Sequence, residues 1–227
     1  MKTNILIIGN GRLAKHLIHW CTLLQKSVHH WTRTDNKALS LQNVDYVWLA
    51  ISDNALVPFY QETLKPLLSA GQKVVHFSGT LHHEAMIAAH PLMTFSHALY
   101  DLETYNKIYF GITGAESLTE ALPAFANPFF KLRAEDKPLY HALCVASGNL
   151  PQLLWSETQP QFADLKVPAE AVKVFLQQSL TNFFSQGAQA VTGPIVRKDT
   201  VTITKNLSAL EKVNLKLKNI YQSFLQG

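Results

Sequence analysis

Short apolar runs alternate with segments of helical periodicity along the first part of the chain. The runs lie at Ile5–Ile8, Val28–Trp31, Tyr46–Ile51, Val74–Phe77 and Ile108–Ile112. Strands that alternate with helices in this way predict a parallel sheet of the α/β class. The run at Tyr46–Ile51 has little polar alternation, which is typical of a central strand covered by helices on both faces.

The pattern changes after Leu132, and only helical periodicity follows. Apolar residues recur at three- and four-residue spacing in Pro138–Ser156, Pro168–Ser185 and Asp199–Leu225, with connections at Gln159–Lys166 and Gly187–Lys198. The sequence therefore predicts an α/β domain over residues 1–133 and an all-α domain over residues 134–227.

The first apolar run ends in a G-x-G-x-x-A motif that passes directly into a helical pattern. The motif reads Gly9-Asn10-Gly11-Arg12-Leu13-Ala14. In Rossmann domains the first glycine permits a tight turn, the second lets a pyrophosphate approach the backbone, and the small third residue lets the helix pack close to its strand. We therefore predict that the first five of these residues bind a dinucleotide at the helix N-terminus. An ordinary glycine turn is the alternative.

The end of the second predicted strand bears on which dinucleotide is bound. NAD-binding domains place an acidic residue there, about 20 positions beyond the glycines, to bind the ribose 2′-hydroxyl. Here Thr32 and Arg33 occupy the place, and they can donate hydrogen bonds to a 2′-phosphate. The sequence thus favours NADP. Asp35 keeps NAD open, because a strand that ends later would bring its carboxylate to the ribose.

Composition and charge exclude several other classes of protein. The formal net charge is +4, but Lys and Arg are scattered without a basic block, so we expect no nucleic-acid partner. No apolar run is long enough to span a bilayer and no signal-peptide pattern is present, which predicts a cytoplasmic protein with no membrane partner. Cys21 and Cys144 lie in apolar helical patterns, and we expect no disulfide and no metal site.

Six further segments, taken in order along the chain, resemble one protein family. They read A-I-S-D at 50–53, H-F-S-G at 76–79, H-P-L-M-T-F at 90–95, Y-H-A at 140–142, A-S-G-N at 146–149 and T-G-P-I-V-R-K-D-T at 192–200. They are similar to the two-domain, Rossmann-like NADP oxidoreductases whose helical C-terminal half is a domain of unknown function. A more distant likeness extends to ketopantoate reductase and pyrroline-5-carboxylate reductase.

The resemblance implies both an architecture and a reaction. It implies a Rossmann domain that binds NADP, followed by a helical domain of the 6-phosphogluconate-dehydrogenase-like type that contacts substrate and forms a homodimer. Candidate dimer contacts are Leu176, Leu180, Phe183, Phe184, Leu207 and Leu210, which serve equally well as core positions within the domain. The reaction implied is hydride transfer from NADPH to a small-molecule substrate.

The nicotinamide half of the cofactor is expected at the ends of the third and fourth strands, because ligands bind beyond the carboxyl ends of strands in open α/β sheets. The residues there are Ile51, Ser52, Asp53, Ser78 and Gly79. Asp53 also fits the N-cap of the next helix. A plain turn is the alternative for Ser78 and Gly79.

Reduction of a carbonyl or imine needs a proton donor, and histidine titrates in a useful range. We predict His141 as the catalytic donor, with Asn149 about two helical turns later near the same face. The alternative is that Tyr140 and His141 only lock the domain junction and that Asn149 caps a helix.

Four residues are predicted to bind substrate: His90, Tyr140, Arg197 and Thr200. The pair His90–Pro91 is interpreted as a sharp turn. Asp199 is expected to cap the last helix, while Arg197 either binds an anionic group or pairs with Asp199.

These features predict an NADP-dependent oxidoreductase that transfers hydride between NADPH and a small, anionic carbonyl or imine compound, bound in a cleft between the domains. A non-catalytic NADP-binding regulatory or scaffolding protein is the alternative. Two departures from the family pattern bear on the choice. Lys198 stands where a glycine is common, and Asn206 where a histidine is often found.

Overall fold

The computed structural model describes residues 3–225, and a seven-stranded sheet forms its centre. The strands are β1 (Ile5–Ile8), β2 (Val28–Trp31), β3 (Tyr46–Leu49), β4 (Lys73–His76), β5 (Ile87–Pro91), β6 (Phe110–Thr113) and β7 (Phe129–Lys131). They lie in the order β2-β1-β3-β4-β5-β6-β7, and every neighbouring pair is parallel except β5 with β6. The predicted α/β class with a parallel core is confirmed.

Helices cover both faces of the sheet. In chain order they are α1 (Arg12–Leu23), α2 (Asp53–Phe59), α3 (Leu102–Asn106), α4 (Leu118–Ala121) and α5 (Lys137–Cys144). Side chains alternate along a strand, so Ile5 and Ile7 pack with Trp20 of α1 in one core. Leu6 and Ile8 pack with Leu56 of α2 in the other. Because β1 to β5 pair in parallel, their carboxyl ends lie along one edge of the sheet.

Strands β5 and β7 were not predicted from the sequence. The turn predicted at His90–Pro91 is wrong, because Pro91 is the last residue of β5 and pairs with Phe110. The small residues Ala88 and Ala89 are fully buried in β5, and their weak strand preference is overridden by pairing with β4 and β6.

Contacts between Cα atoms divide the chain into two compact units, Met1–Val145 and Ala146–Gly227. Helix α5 therefore falls in the first unit. The boundary predicted near residue 133 concerns functional domains and stays a prediction.

The second unit is helical, as the sequence predicts. It contains α6 (Leu150–Asp164), α7 (Ala169–Gln186), α8 (Thr200–Val213) and α9 (Leu215–Ser223). The predicted helix at Pro138–Ser156 is divided between α5 and α6 by a π-helical segment, Val145–Asn149. None of the helices within residues 3–225 is both long and apolar enough to cross a bilayer.

Two predicted boundaries in the second unit are wrong. Helix α6 continues through Pro160 and ends only where Lys166 takes a φ of 61°, so most of the predicted connection at Gln159–Lys166 is helical. The last predicted helix breaks at Asn214, whose backbone is extended and whose side chain accepts a hydrogen bond from the Leu217 N–H at 3.0 Å. Asn214 thereby caps a new helix.

Candidate functional site

The glycine turn after β1 is built around Gly9. Its φ of 135° lies in a region that residues with a side chain rarely adopt, and a Cβ atom there would lie 2.2 Å from the Ala50 carbonyl oxygen. The Gly9 N–H also donates to the Trp31 carbonyl at 3.2 Å. Only glycine therefore lets β1 end so close to β3.

The N-terminus of α1 is open to a ligand. Gly11 is the N-cap position, and no atom lies within 4 Å of the place where its Cβ would be. Among residues 3–225, no side chain caps the helix there, and its first turn contains no acidic residue. Asn10 and Arg12 are exposed and Leu13 is half-buried. Free N–H groups at a helix N-terminus fit a pyrophosphate.

His30 supports this turn and was missed by sequence reasoning. It lies in β2 opposite Ile7, and its Nε2 donates a 2.7 Å hydrogen bond to the Gly9 carbonyl oxygen. The contact fixes the peptide that follows Gly9. Its only signal in the sequence is the place of a polar residue near the end of a strand next to β1.

The end of β2 contains a closed polar turn. The buried Thr32 donates from its N–H to Asp35 Oδ2 at 2.8 Å and from its hydroxyl to Asp35 Oδ1 at 3.0 Å. These hydrogen bonds, the backbone one first, lower the pKa of Asp35. Arg33 is exposed beside them. The hydroxyl predicted to bind a 2′-phosphate thus donates to Asp35 in this structure.

The residues after β3 and β4 meet through a hydrogen bond. Ser78 Oγ donates to Asp53 Oδ2 at 2.6 Å and accepts from the Leu81 N–H at 2.9 Å. Asp53 is therefore not the N-cap of α2. That position belongs to Ser52, which follows Ile51 and makes no capping hydrogen bond through its side chain. The carboxylate of Asp53 instead turns toward β4.

Lys137 is a site residue that sequence reasoning missed. It opens α5, is fully buried, and donates from Nζ to the Ser78 carbonyl oxygen at 3.0 Å. Burial lowers the pKa of Lys137 to about 8, although the nearby charge of Asp53 opposes the shift. Its position three residues before Tyr140 on one helix was the available signal.

His90, Tyr140 and His141 come together beside Gly79. His90 Nδ1 and the Tyr140 hydroxyl are 2.9 Å apart, and the rings of His90 and His141 meet edge to face at 5.9 Å. A Cβ on Gly79 would lie 2.4 Å from His141 Cδ2 and 3.0 Å from His90 Nε2. Glycine is required here because the two imidazoles cover its Cα.

Burial keeps two imidazoles in this part of the molecule neutral, those of His90 and of His76, the last residue of β4. Burial, then the charges of His141 and Lys137, lowers the pKa of His90 to about 4. Burial, then Lys137, lowers the pKa of His76 to about 3. The pKa of Tyr140 is raised by burial and by its hydrogen bond with Cys144. His90 therefore offers a neutral imidazole at pH 7.

The remaining predicted site residues belong to the second unit. Asn149 is exposed in the π-helical segment, and the alternative that its side chain caps a helix is wrong. Arg197 and Thr200 are also exposed. The prediction that Asp199 caps the last long helical segment is confirmed, because its carboxylate accepts from the N–H and the hydroxyl of Thr202.

Lys198 and Asn206, the two departures from the family pattern, have distinct settings. Lys198 has a φ of 56°, which explains why glycine suits that position. Asn206 Nδ2 donates to the Tyr221 hydroxyl at 3.2 Å and so joins α8 to α9. Among residues 3–225, no group of three His, Cys, Asp or Glu side chains could hold a metal ion.

Solved structures with the same fold cover almost the whole chain. A protein of Bacteroides fragilis described as a candidate NADP oxidoreductase is 16% identical, with a TM-score of 0.79 over 100% of this chain and 99% of its own. An imine reductase of Myxococcus stipitatus, solved in complex with NADP⁺, is 14% identical, with a TM-score of 0.63 over 98% of this chain and 92% of its own. The 1-pyrroline-5-carboxylate reductase of Streptococcus pyogenes is 16% identical, with a TM-score of 0.59 over 98% of this chain and 96% of its own. The shared fold is a Rossmann-like core followed by a helical region.

Comparison of the sequence with curated proteins gave no match. A family model does match: the domain of unknown function DUF2520 covers residues 108–226. This range takes in the Y-H-A, A-S-G-N and T-G-P-I-V-R-K-D-T segments and more than half of the chain. The chain therefore belongs to the DUF2520 family.

Proposed function

We propose that the chain is an NADP-dependent oxidoreductase that transfers hydride between NADPH and a small, anionic carbonyl or imine compound. One observation carries the proposal. The open glycine turn at Gly9–Leu13 and the hydrogen bond between Ser78 and Asp53 both lie at the carboxyl ends of the parallel strands β1, β3 and β4. Ligands of open α/β sheets bind at that edge. The names of the solved relatives, which include an imine reductase and a pyrroline-5-carboxylate reductase, agree with this chemistry.

The first unit contains the residues that would hold the cofactor. The free N–H groups at the N-terminus of α1 would bind the pyrophosphate, and Arg33 would bind the 2′-phosphate. The residues that would contact the nicotinamide half follow β3 and β4: Ile51, Ser52, Asp53, Ser78 and Gly79. When bound, NADPH supplies the hydride, and the chain supplies orientation and a proton.

His141 is the proposed proton donor. It lies over Gly79, next to the neutral imidazole of His90. His90 and Tyr140 share a hydrogen bond, so they can orient a substrate oxygen or nitrogen. Once a substrate is known, His141→Asn should lower turnover while cofactor binding stays normal. Unchanged turnover in a folded variant would remove His141 from the mechanism.

Asn149, Arg197 and Thr200 complete the proposal from the second unit. We assign Asn149 to catalysis as an amide that orients substrate. Arg197 and Thr200 are assigned to substrate, Arg197 because a guanidinium pairs with carboxylate or phosphate groups. Their exposure leaves all three side chains accessible to a ligand.

Cofactor binding is the first test. Titration of the purified chain with NADPH and NADH, followed by fluorescence of the reduced nicotinamide, should give tighter binding of NADPH. Equal or tighter binding of NADH would contradict the assignment. Incubation with NADPH and a panel of 2-keto acids, cyclic imines and aldehydes then tests chemistry through absorbance. Binding without oxidation across the panel would favour a regulatory NADP-binding protein.

A homodimer formed through the helical unit is part of the proposal. Along α7, Leu180 is 56% exposed, Phe183 50% and Phe184 78%. Large apolar side chains exposed together mark interaction surfaces. Sedimentation should show a dimer for the wild-type chain and a shift toward monomer for Phe184→Glu. A wild-type monomer would contradict this part of the proposal.

A further inference from the structure

Lys137 is a buried cation at the sheet edge that carries the candidate site. Its side chain is 0% exposed, and it is the one buried Lys or Arg among residues 3–225. Within the same residues, none of the ion pairs includes it. Its contact is with a neutral group, the Ser78 carbonyl oxygen. A buried charge without an ion-pair partner is costly, which calls for a reason beyond packing.

Charged and titratable groups on several elements interact with Lys137 or with the neighbouring imidazoles of His76 and His90. They are Asp53 on α2, His76 on β4, His82 and His83 after β4, His90 on β5 and His141 on α5. Asp53 is exposed, so solvent weakens its field, whereas the charge of Lys137 is held away from water. His76 and His90 are neutral near pH 7.

A fixed positive charge distinguishes the two redox states of a nicotinamide cofactor. The oxidised ring is a cation, whereas the reduced ring is neutral. The phosphates and riboses are the same in both, so their contacts cancel when the two affinities are compared. A cation next to the ring therefore disfavours the oxidised form by an amount that grows as the local dielectric falls.

We propose that Lys137 sets a preference for the reduced cofactor: held at the Ser78 carbonyl, its charge weakens binding of NADP⁺ relative to NADPH, which favours loading of NADPH and release of NADP⁺. The inference rests on the proposed function, which places the nicotinamide half at Asp53, Ser78 and Gly79. Lys137 acts through its charge, which the hydrogen bond to the Ser78 carbonyl oxygen holds in place.

The test is the ratio of Kd for NADP⁺ to Kd for NADPH, measured by calorimetry on the full chain near pH 7. Lys137→Met keeps the apolar bulk and removes the charge, so this ratio should fall on the order of fivefold. Lys107→Met is the matched control. Its amine is exposed and paired with Glu103, and the ratio should not change. An unchanged ratio in Lys137→Met overturns the proposal.

The wild-type chain gives a second, independent measurement. Because Lys137 loses its proton near pH 8, the ratio should fall between about pH 7 and about pH 9.5 in the wild-type chain. It should stay level in Lys137→Met. His76 and His90 remain neutral over this range, so they add no change. If Lys137→Met does not fold, a level ratio in the wild-type chain overturns the proposal.

The two proposals fail in different ways. If the wild-type chain binds neither NADP⁺ nor NADPH, the proposed function is wrong and this inference falls with it. If both forms bind and the ratio does not change in Lys137→Met, only the inference about Lys137 is wrong.

Discussion

The Ser78 hydroxyl donates a 2.6 Å hydrogen bond to Asp53 and thereby joins the residues that follow two neighbouring parallel strands. The same residue accepts from Leu81 through its side chain and from Lys137 through its carbonyl oxygen. Ser78 therefore links α2, the turn after β4 and α5. Displacement of this residue should disturb the whole edge of the sheet where the nicotinamide half is proposed.

Ser78→Ala removes the bond to Asp53 and leaves the Leu81 N–H without its acceptor. We expect NADPH to bind about tenfold more weakly and stability to fall by about 1–2 kcal/mol. Calorimetric titration and denaturant unfolding measure the two effects. Ser117→Ala is a matched control, because Ser117 accepts from the Glu120 N–H at the start of α4. Ser117→Ala should lower the free energy of unfolding by about 1 kcal/mol without weakening the binding of NADPH.

Gly79→Ala places a methyl group against His141 and His90. The clash should lower stability by about 1–3 kcal/mol and displace the proposed proton donor, so turnover falls more than NADPH affinity. Adding His141→Ala should restore most of the stability by making room. Gly148→Ala is the control, since nothing lies within 4 Å of its Cβ position. Equal stability of Gly79→Ala and the wild-type chain would contradict the packing described.

Local signals made much of the fold predictable. The glycine turn and the strands β1 to β4 depend on neighbouring residues, and the sequence shows them. The role of Lys137 is different, because its partner Ser78 lies 59 positions earlier in the chain. Lysine is normally solvated, so its spacing to Tyr140 on one helix did not by itself mark it as buried. His30 was hidden for the same reason: its hydrogen bond to Gly9 exists only once β2 pairs with β1.

Cofactor selectivity should depend on Arg33 and Asp35 in opposite directions. Arg33→Ala removes the proposed partner of the 2′-phosphate, so NADPH should bind about tenfold more weakly while NADH is unchanged. Asp35→Asn removes a negative charge that is bonded to Thr32, the neighbour of Arg33, and should increase the preference for NADPH. Fluorescence titration with both cofactors measures each ratio. A loss of NADH binding in Arg33→Ala would assign Arg33 to another part of the cofactor.

Stability should decline in mild acid because of His76 and His90. Their pKa values in the folded chain are about 3 and about 4, whereas an unfolded histidine titrates near pH ~6.5. Between about pH 6.5 and about pH 4 the unfolded chain binds more protons, so the free energy of unfolding falls by up to ~1.4 kcal/mol per pH unit and site. Denaturant unfolding at several pH values measures the slope.

His76→Leu provides the matched variant for that slope. It removes a buried ring whose Nε2 has no hydrogen-bond partner among residues 3–225. The variant should therefore lose less stability than the wild-type chain between about pH 6.5 and about pH 4.5. Paired carboxylates, whose pKa values are lowered, take up protons below this window. Identical slopes in the two proteins would contradict the burial of a neutral His76.

Lys198→Gly should stabilise the second unit. Lys198 has a φ of 56°, a conformation that costs a residue with a side chain about 1–2 kcal/mol and glycine almost nothing. The greater freedom of glycine in the unfolded chain offsets part of this gain, so a net increase of about 0.5–1 kcal/mol is expected. Lys205→Gly, inside α8, should instead destabilise by about 1 kcal/mol. Thermal unfolding of both variants measures the difference, and a lower melting temperature for Lys198→Gly would show that the Lys198 side chain contributes more than its backbone costs.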